Sequence, residues 1–166
     1  MAQAVKAIPD GYQALTPYLV CEGAEAAIAF YRKVFGAELL YPPIPAPGGR
    51  IGHAELRIWG AVLMLADASA EFRGPRAFGG SPVSLLLYVP DVDATVRAAV
   101  AAGARLLREV KDQFYGDRSG TLEDPLRARL DRRDARGGRT AGGAGAAHEG
   151  HAGVRAGGRR PGRACH

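Results

Sequence analysis

The chain has 166 residues, a formal net charge of +5 and an isoelectric point near 9.6. That charge is unevenly placed: residues 126–166 hold ten Arg, no Lys, no aromatic residue and three acids, a net +7, which leaves −2 for residues 1–125. A basic balance confined to a tail without aromatic or patterned contacts argues against a nucleic-acid or membrane partner, and the first 125 residues suffice for one domain with its own core.

No apolar run approaches the roughly 20 residues that span a bilayer, and the opening MAQAVKAIPDGYQ lacks the basic and apolar regions of a signal peptide. Cys21 and Cys165 are the only cysteines, so no disulfide framework is expected and a soluble, cytoplasmic protein is the default. In chain order, residues 15–21 predict a strand. Residues 24–35 predict a helix, because Ala27, Phe30, Tyr31, Val34 and Phe35 recur at three- and four-residue spacing before Gly36 stops it. A short strand at 38–41 leads to a proline-rich loop that cannot join a central sheet, proline having no ladder donor. Residues 50–59 and 61–66 form a hairpin around Gly60, and 67–81 a loop. A strand at 82–89, a helix at 92–102 and a strand at 105–110 follow, and then a turn at Gly116-Asp117 opens one more strand.

This order contains a duplication. Residues 16–40 are echoed by 84–107, with Thr16 opposite Ser84, Glu25 opposite Asp93 and Gly36 opposite Gly103, so the chain reads as two copies of one supersecondary unit. Module one spans about 13–67 and module two about 82–125.

TPYLV at 16–20, HAELRI at 53–58, VLMLAD at 62–67 and QFYGDRSGTLEDP at 113–125 resemble the vicinal oxygen chelate superfamily, the glyoxalase, bleomycin-resistance and extradiol-dioxygenase group, and within it the PhnB-like branch. The resemblance covers residues 8–125. It implies an α+β fold of paired βαβββ modules forming an open, cup-shaped mixed sheet, a homodimer, and a small-molecule ligand in the concave cup. It also implies metal-ligand positions on the first and last strands of each module, which carry over to Thr16, Met64 and Ser84, the fourth lying beyond Pro125. A borderline divalent metal wants imidazole, carboxylate or thiolate, so no metal site and no cofactor is expected.

After Pro125 the resemblance stops, and the last strand is expected to be missing: LRARL at 126–130 is short and charged. Leu126 to Gly138 can be encoded so that dropping one base gives Phe-Gly-His-Val-Trp-Thr-Val-Ala-Thr-His-Val-Glu, the strand that relatives carry. A frameshift is one reading of the Arg/Gly/Ala-rich tail; a genuine basic tail, disordered from about residue 131, is the other.

Strand alternation puts Ile51, His53, Glu55 and Arg57 on one face of their strand and Ala54, Leu56 and Ile58 on the other. His53 beside Glu55 can serve as a general base or hold an anion; the alternative is an ordinary solvated face. Candidate ligand contacts are Tyr18, Arg57, Trp59, Ser84 and Tyr88, with Trp59 or Phe114 able to stack on a planar ligand. The resemblance adds Tyr115 and Arg118, for which an Asp-Arg pair bracing a turn is the competing explanation. Two functions follow: a metal-free module that sequesters a small molecule, or a lyase, isomerase or dioxygenase-like enzyme of the same fold that uses His53 and Glu55, with or without a metal.

Overall fold

The structure, a computed structural model, describes residues 6–135. Module one runs β1 (Tyr18–Cys21), α1 (Ala24–Phe35), β2 (Glu38–Leu39), β3 (Ile44–Ala46), β4 (Arg50–Ile58) and β5 (Ala61–Asp67). Module two runs β6 (Ser84–Tyr88), α2 (Val92–Ala101), β7 (Arg105–Asp112), β8 (Asp117–Glu123) and β9 (Arg129–Ala135). The strand orders are β1-β5-β4-β2 and β6-β9-β8-β7, so in each module the first strand lies parallel to the last and the others are antiparallel. The duplication read from the sequence is thus a duplication of topology.

Each helix forms where its sequence offers caps and an apolar stripe. Ala24, Ala27, Ile28, Phe30, Tyr31 and Phe35 are the buried side of α1, and Gly36 closes it in the left-handed conformation, φ 63°. In α2 the Asp91 carboxylate accepts from the Ala94 N–H at 2.9 Å, and Val92, Val96 and Ala99 are buried. These stripes pack with Ala54, Leu56 and Ile58 of β4, Leu63 and Leu65 of β5, and Leu122 and Leu130 of module two in one continuous core. The proline-rich loop holds a three-residue strand, β3, but at the sheet edge, with its register shift at Ile44/Pro45 where the ladder donor is absent.

The expectation that the last strand is missing is overturned: β9 pairs with β6 on one side and β8 on the other, from Ser84↔Arg129 to Tyr88↔Arg133 and from Glu123↔Arg129 to Asp117↔Ala135. Two causes lie upstream of the composition change. The Asp124 carboxylate accepts from the N–H groups of Leu126 (2.9 Å) and Ala128 (2.8 Å) and from the Tyr31 hydroxyl (2.7 Å), turning the chain back and tying it to α1. Ladder bonds between β6 and β8 are then made by backbone atoms, whatever the side chains. Leu126, Ala128 and Leu130 are buried in alternation with exposed Arg127 and Arg129. Residues 131–135, expected to lack structure, continue that strand; the rest of the tail lies outside the described residues.

One carboxylate stitches module one together. Asp67, at the end of β5, accepts from the N–H groups of Gly23 (3.0 Å) and Ala24 (2.7 Å) at the start of α1 and of Ile51 (2.7 Å) on β4. Burial alone raises its pKa, but those donors and Arg50 outweigh burial and hold the carboxyl below its ordinary 3.8. Because the folded value is depressed, this stabilisation is complete above about pH 4, the unfolded range, and is lost as pH falls through the folded value. Asp67→Ala is expected to cost about 2 kcal/mol at pH 7 and much less at pH 3. Urea unfolding at the two pH values checks this; equal losses would contradict it.

Candidate functional site

The pleat of module one sets Tyr18 and Val20 of β1, Met64 and Ala66 of β5, and His53 and Glu55 of β4 on one face, through the registers Tyr18↔Met64, Val20↔Ala66 and Glu55↔Met64. The other face of β4 carries Ala54, Leu56 and Ile58, all within the core. The alternation expected from the sequence is therefore observed, but the polar face is not merely solvated: Glu55 is only 6% exposed.

A ring of donors covers that carboxylate. The Tyr12 hydroxyl bonds its Oε2, His53 Nε2 lies 3.1 Å from its Oε1, and Tyr41 bonds it as well. Burial raises the pKa of Glu55, yet the bonds from Tyr12, His53 and Tyr41 prevail, and it titrates below the ordinary carboxylate value. The phenols move the other way. Tyr12 is raised first by its bond to Glu55, and Tyr41 is pushed up to about 12 by burial and the same carboxylate. At neutral pH both phenols keep their protons and donate. An ionised Glu55 accepting from Nε2 fixes the His53 tautomer with its proton on Nε2, leaving Nδ1 as acceptor. The Tyr18 hydroxyl stands 2.9 Å from Nδ1. The rings of Tyr18 and Tyr41 flank His53 at centroid distances of 5.5 and 6.3 Å and hold it in place.

Tyr12 and Tyr41 were not singled out by sequence. Tyr12 precedes the first strand, and Tyr41, the last residue of the strand expected at 38–41, falls beyond the observed β2 (Glu38–Leu39), where strand alternation does not orient it. Arg57 sits at the Tyr12 end of the network, where its charge acts on that phenol and its guanidinium nears Gly11. Beside the network, a cavity of about 580 Å³ is lined by Tyr18, Val20, Arg50, Ile51, Ala66 and Phe72.

The remaining candidates lie elsewhere. Trp59, Ser84 and Tyr88 line a second cavity of about 380 Å³ between the β4–β5 hairpin and β6, walled largely by leucines. Trp59 occupies the first hairpin position at φ 45°, with Gly60 at 89°, a pairing of positive φ values that favours Asn-Gly. Arg118 is a brace: its Nε and Nη2 bond the Asp93 carboxylate on α2 at 2.7 and 2.9 Å, and Nη1 bonds Asp112 at 3.1 Å. Tyr115 stacks under Arg133 at 5.5 Å, with Phe114 against its edge. Cys21 is buried, its thiol pushed up to about 12 by burial, an inert packing residue.

The positions implied for a metal do not suit one. Tyr18 lies opposite Met64, and its counterpart two residues after Ser84, Leu86, lies opposite Asp131, which makes Asp131 the fourth position. Two hydroxyls, a thioether and one carboxylate are a poor donor set for a divalent transition metal, and among the described residues no three His, Cys, Asp or Glu side chains cluster as ligands.

Comparison with known proteins places these features. The family model described as glyoxalase/bleomycin resistance protein/dioxygenase superfamily matches residues 14–130. An uncharacterized protein of Mycobacterium bovis is 43% identical over 118 residues, 68% of this chain and 77% of that protein. An uncharacterized protein of Mycobacterium tuberculosis shows the same identity over 69% of its length. Among solved structures, TioX from Micromonospora sp. ML1 is similar with a TM-score of 0.60 and 24% identity over 74% of this chain and 98% of that one. A PhnB protein from Bacillus cereus gives 0.59 and 21% over 74% and 100%.

Proposed function

We propose, from the premise that the chain belongs to the glyoxalase/bleomycin resistance protein/dioxygenase superfamily, that it binds a small molecule on the open face of module one without a resident metal ion. The observation that carries this reading is the closed network around Glu55. A buried, ionised carboxylate held by Tyr12, Tyr41 and His53 stands beside a cavity large enough for a small ligand. Such a group is costly to bury and gives the core little in return. The ligand would lie against Tyr18, Val20 and Ala66, near the positive charge of Arg50. No helix among the described residues is long and apolar enough to cross a membrane. A cytoplasmic location, in keeping with the free thiol of Cys21, and a homodimer of the 17.4 kDa chain are part of the proposal.

The test is a fragment screen by ligand-observed NMR, with and without EDTA, on the protein and on Val20→Trp, which places an indole in the cavity. Fragments are expected to bind equally with EDTA and to be lost in Val20→Trp. Binding that needs metal, or that survives the block, would overturn the reading.

The enzyme alternative is favoured by one observation: both nitrogens of His53 are engaged, one by a carboxylate and the other by a half-exposed hydroxyl.

A further inference from the structure

In the Glu55 network, the two groups expected from sequence to do chemistry are not the ones that face a ligand. Glu55 is 6% exposed, already accepts from three donors and does not line the cavity, so it is not placed to act directly on a ligand as a base. His53 is bonded at both ring nitrogens. The network meets the cavity through Tyr18, which is 48% exposed and lines it.

The order hydroxyl, imidazole, carboxylate is the arrangement by which a weak nucleophile is activated. The nucleophile lies within hydrogen-bond reach of a base, and a third group orients that base. We propose that Tyr18 is the reacting residue of the site, an acyl-accepting nucleophile with His53 as its base and Glu55 as the positioning carboxylate, and that the site takes small esters. The inference rests on the ligand-binding reading of the same cavity.

Each atom in the step is accounted for. The Tyr18 oxygen attacks the ester carbonyl carbon while its proton passes to His53 Nδ1, giving an imidazolium whose Nε2–H remains bonded to Glu55. The tetrahedral intermediate collapses, the ester C–O bond breaks and the alcohol leaves, taking the proton from Nδ1. Water then gives a proton to the same nitrogen and attacks the acyl carbon; the bond from that carbon to the Tyr18 oxygen breaks, the carboxylic acid leaves and the phenolate takes the proton back from Nδ1. Burial, and after it the Glu55 charge, raises the pKa of Tyr18, so the phenol is not ionised by itself at neutral pH and must give up its proton as the bond forms. The groups that face the pair are Glu55 on β4 with the phenols of Tyr12 and Tyr41, and on the cavity wall Arg50 and the ionised Asp67. Arg50 carries the sign that favours a developing oxyanion, offset in part by Asp67 beside it.

The chain contains its own control. Tyr88 is 49% exposed, matching the 48% of Tyr18, and among the described residues no histidine bonds its hydroxyl. The probe is p-nitrophenyl acetate at pH 7, with acetylation of each tyrosine read by peptide mass spectrometry on samples acid-quenched early in the first turnover, before deacylation empties Tyr18. Base assistance is worth about 10²-fold or more, so Tyr18 is expected to acetylate about 10²-fold faster than Tyr88. His53→Gln should bring the two rates together, and Glu55→Gln should reduce the ratio at least about tenfold. Because the ratio is read within one molecule, a loss of folded protein moves both rates and does not imitate the effect. A ratio near one in the unaltered chain, or one unchanged by His53→Gln, overturns the inference. If fragments bind the cavity while Tyr18 reacts no faster than Tyr88, this inference fails alone. Fast acetylation without fragment binding supports it and leaves the binding reading to fall.

Discussion

Replacing Arg132 with Met is expected to raise the stability of the chain by about 1–4 kcal/mol, although most core substitutions lower it. Arg132 is fully buried on β9, and none of its Nε, Nη1 and Nη2 atoms has a hydrogen-bond partner. Its guanidinium lies 4.7 Å over the Phe35 ring, and burial drives its pKa down to about 10, even against the raising influence of Tyr31 and Asp124. One cation–π contact, worth about 2 kcal/mol when desolvated, does not offset a desolvation cost of several kcal/mol for the ion. Methionine keeps the length and the contact with Phe35 and removes the charge. The midpoint of a thermal melt should rise by several degrees. An unchanged or lower midpoint would mean that the guanidinium is satisfied by a partner and belongs in the core.

A larger gain is expected when residues 126–134 are replaced by Phe-Gly-His-Val-Trp-Thr-Val-Ala-Thr, the sequence that the alternative reading frame allows. Set on the observed register, the replacement makes Arg132→Val and Leu130→Trp at two fully buried positions. The first removes the orphaned cation. The second sets an indole beside the cavity of about 380 Å³ that Leu130 now lines, and cavity filling commonly adds about 0.5–2 kcal/mol. The replacement also makes Arg133→Ala and so takes away the cation 3.6 Å from the buried Asp117 carboxylate, which offsets part of the gain. The family match ends at residue 130, next to these positions. The restored chain should melt higher than Arg132→Met and more sharply. Equal or lower midpoints and equal sharpness would show that the segment from Leu126 onward is native to this protein.

Most elements could be read from the residues because local pattern and global fold agree. The helix at 24–35 announces itself by apolar spacing and Gly36, and the hairpin by Gly60. β9 could not be read that way, since its side chains argue against a strand. The turn at Asp124-Pro125 and the open ladders of β6 and β8 decide the matter, and those are tertiary facts. For the site, alternation placed His53 and Glu55 on one face, and the resemblance supplied their setting. It did not show that Glu55 is enclosed, because the enclosing groups, Tyr12 and Tyr41, lie outside the strands. Arg118 was legible as half of an Asp-Arg pair bracing a turn, but its partners were not, since Asp112 lies across the turn and Asp93 is 25 residues away on α2.

The open face of module one as the ligand site is tested most directly by backbone amide shift mapping with a fragment that binds, recorded with and without EDTA. Shifts are expected to cluster on Tyr18, Val20, Ile51, His53 and Ala66, with the same pattern and midpoint in both conditions. Shifts that gather instead on Trp59, Ser84 and Tyr88, or that vanish with EDTA, would contradict a metal-independent site organised by Glu55.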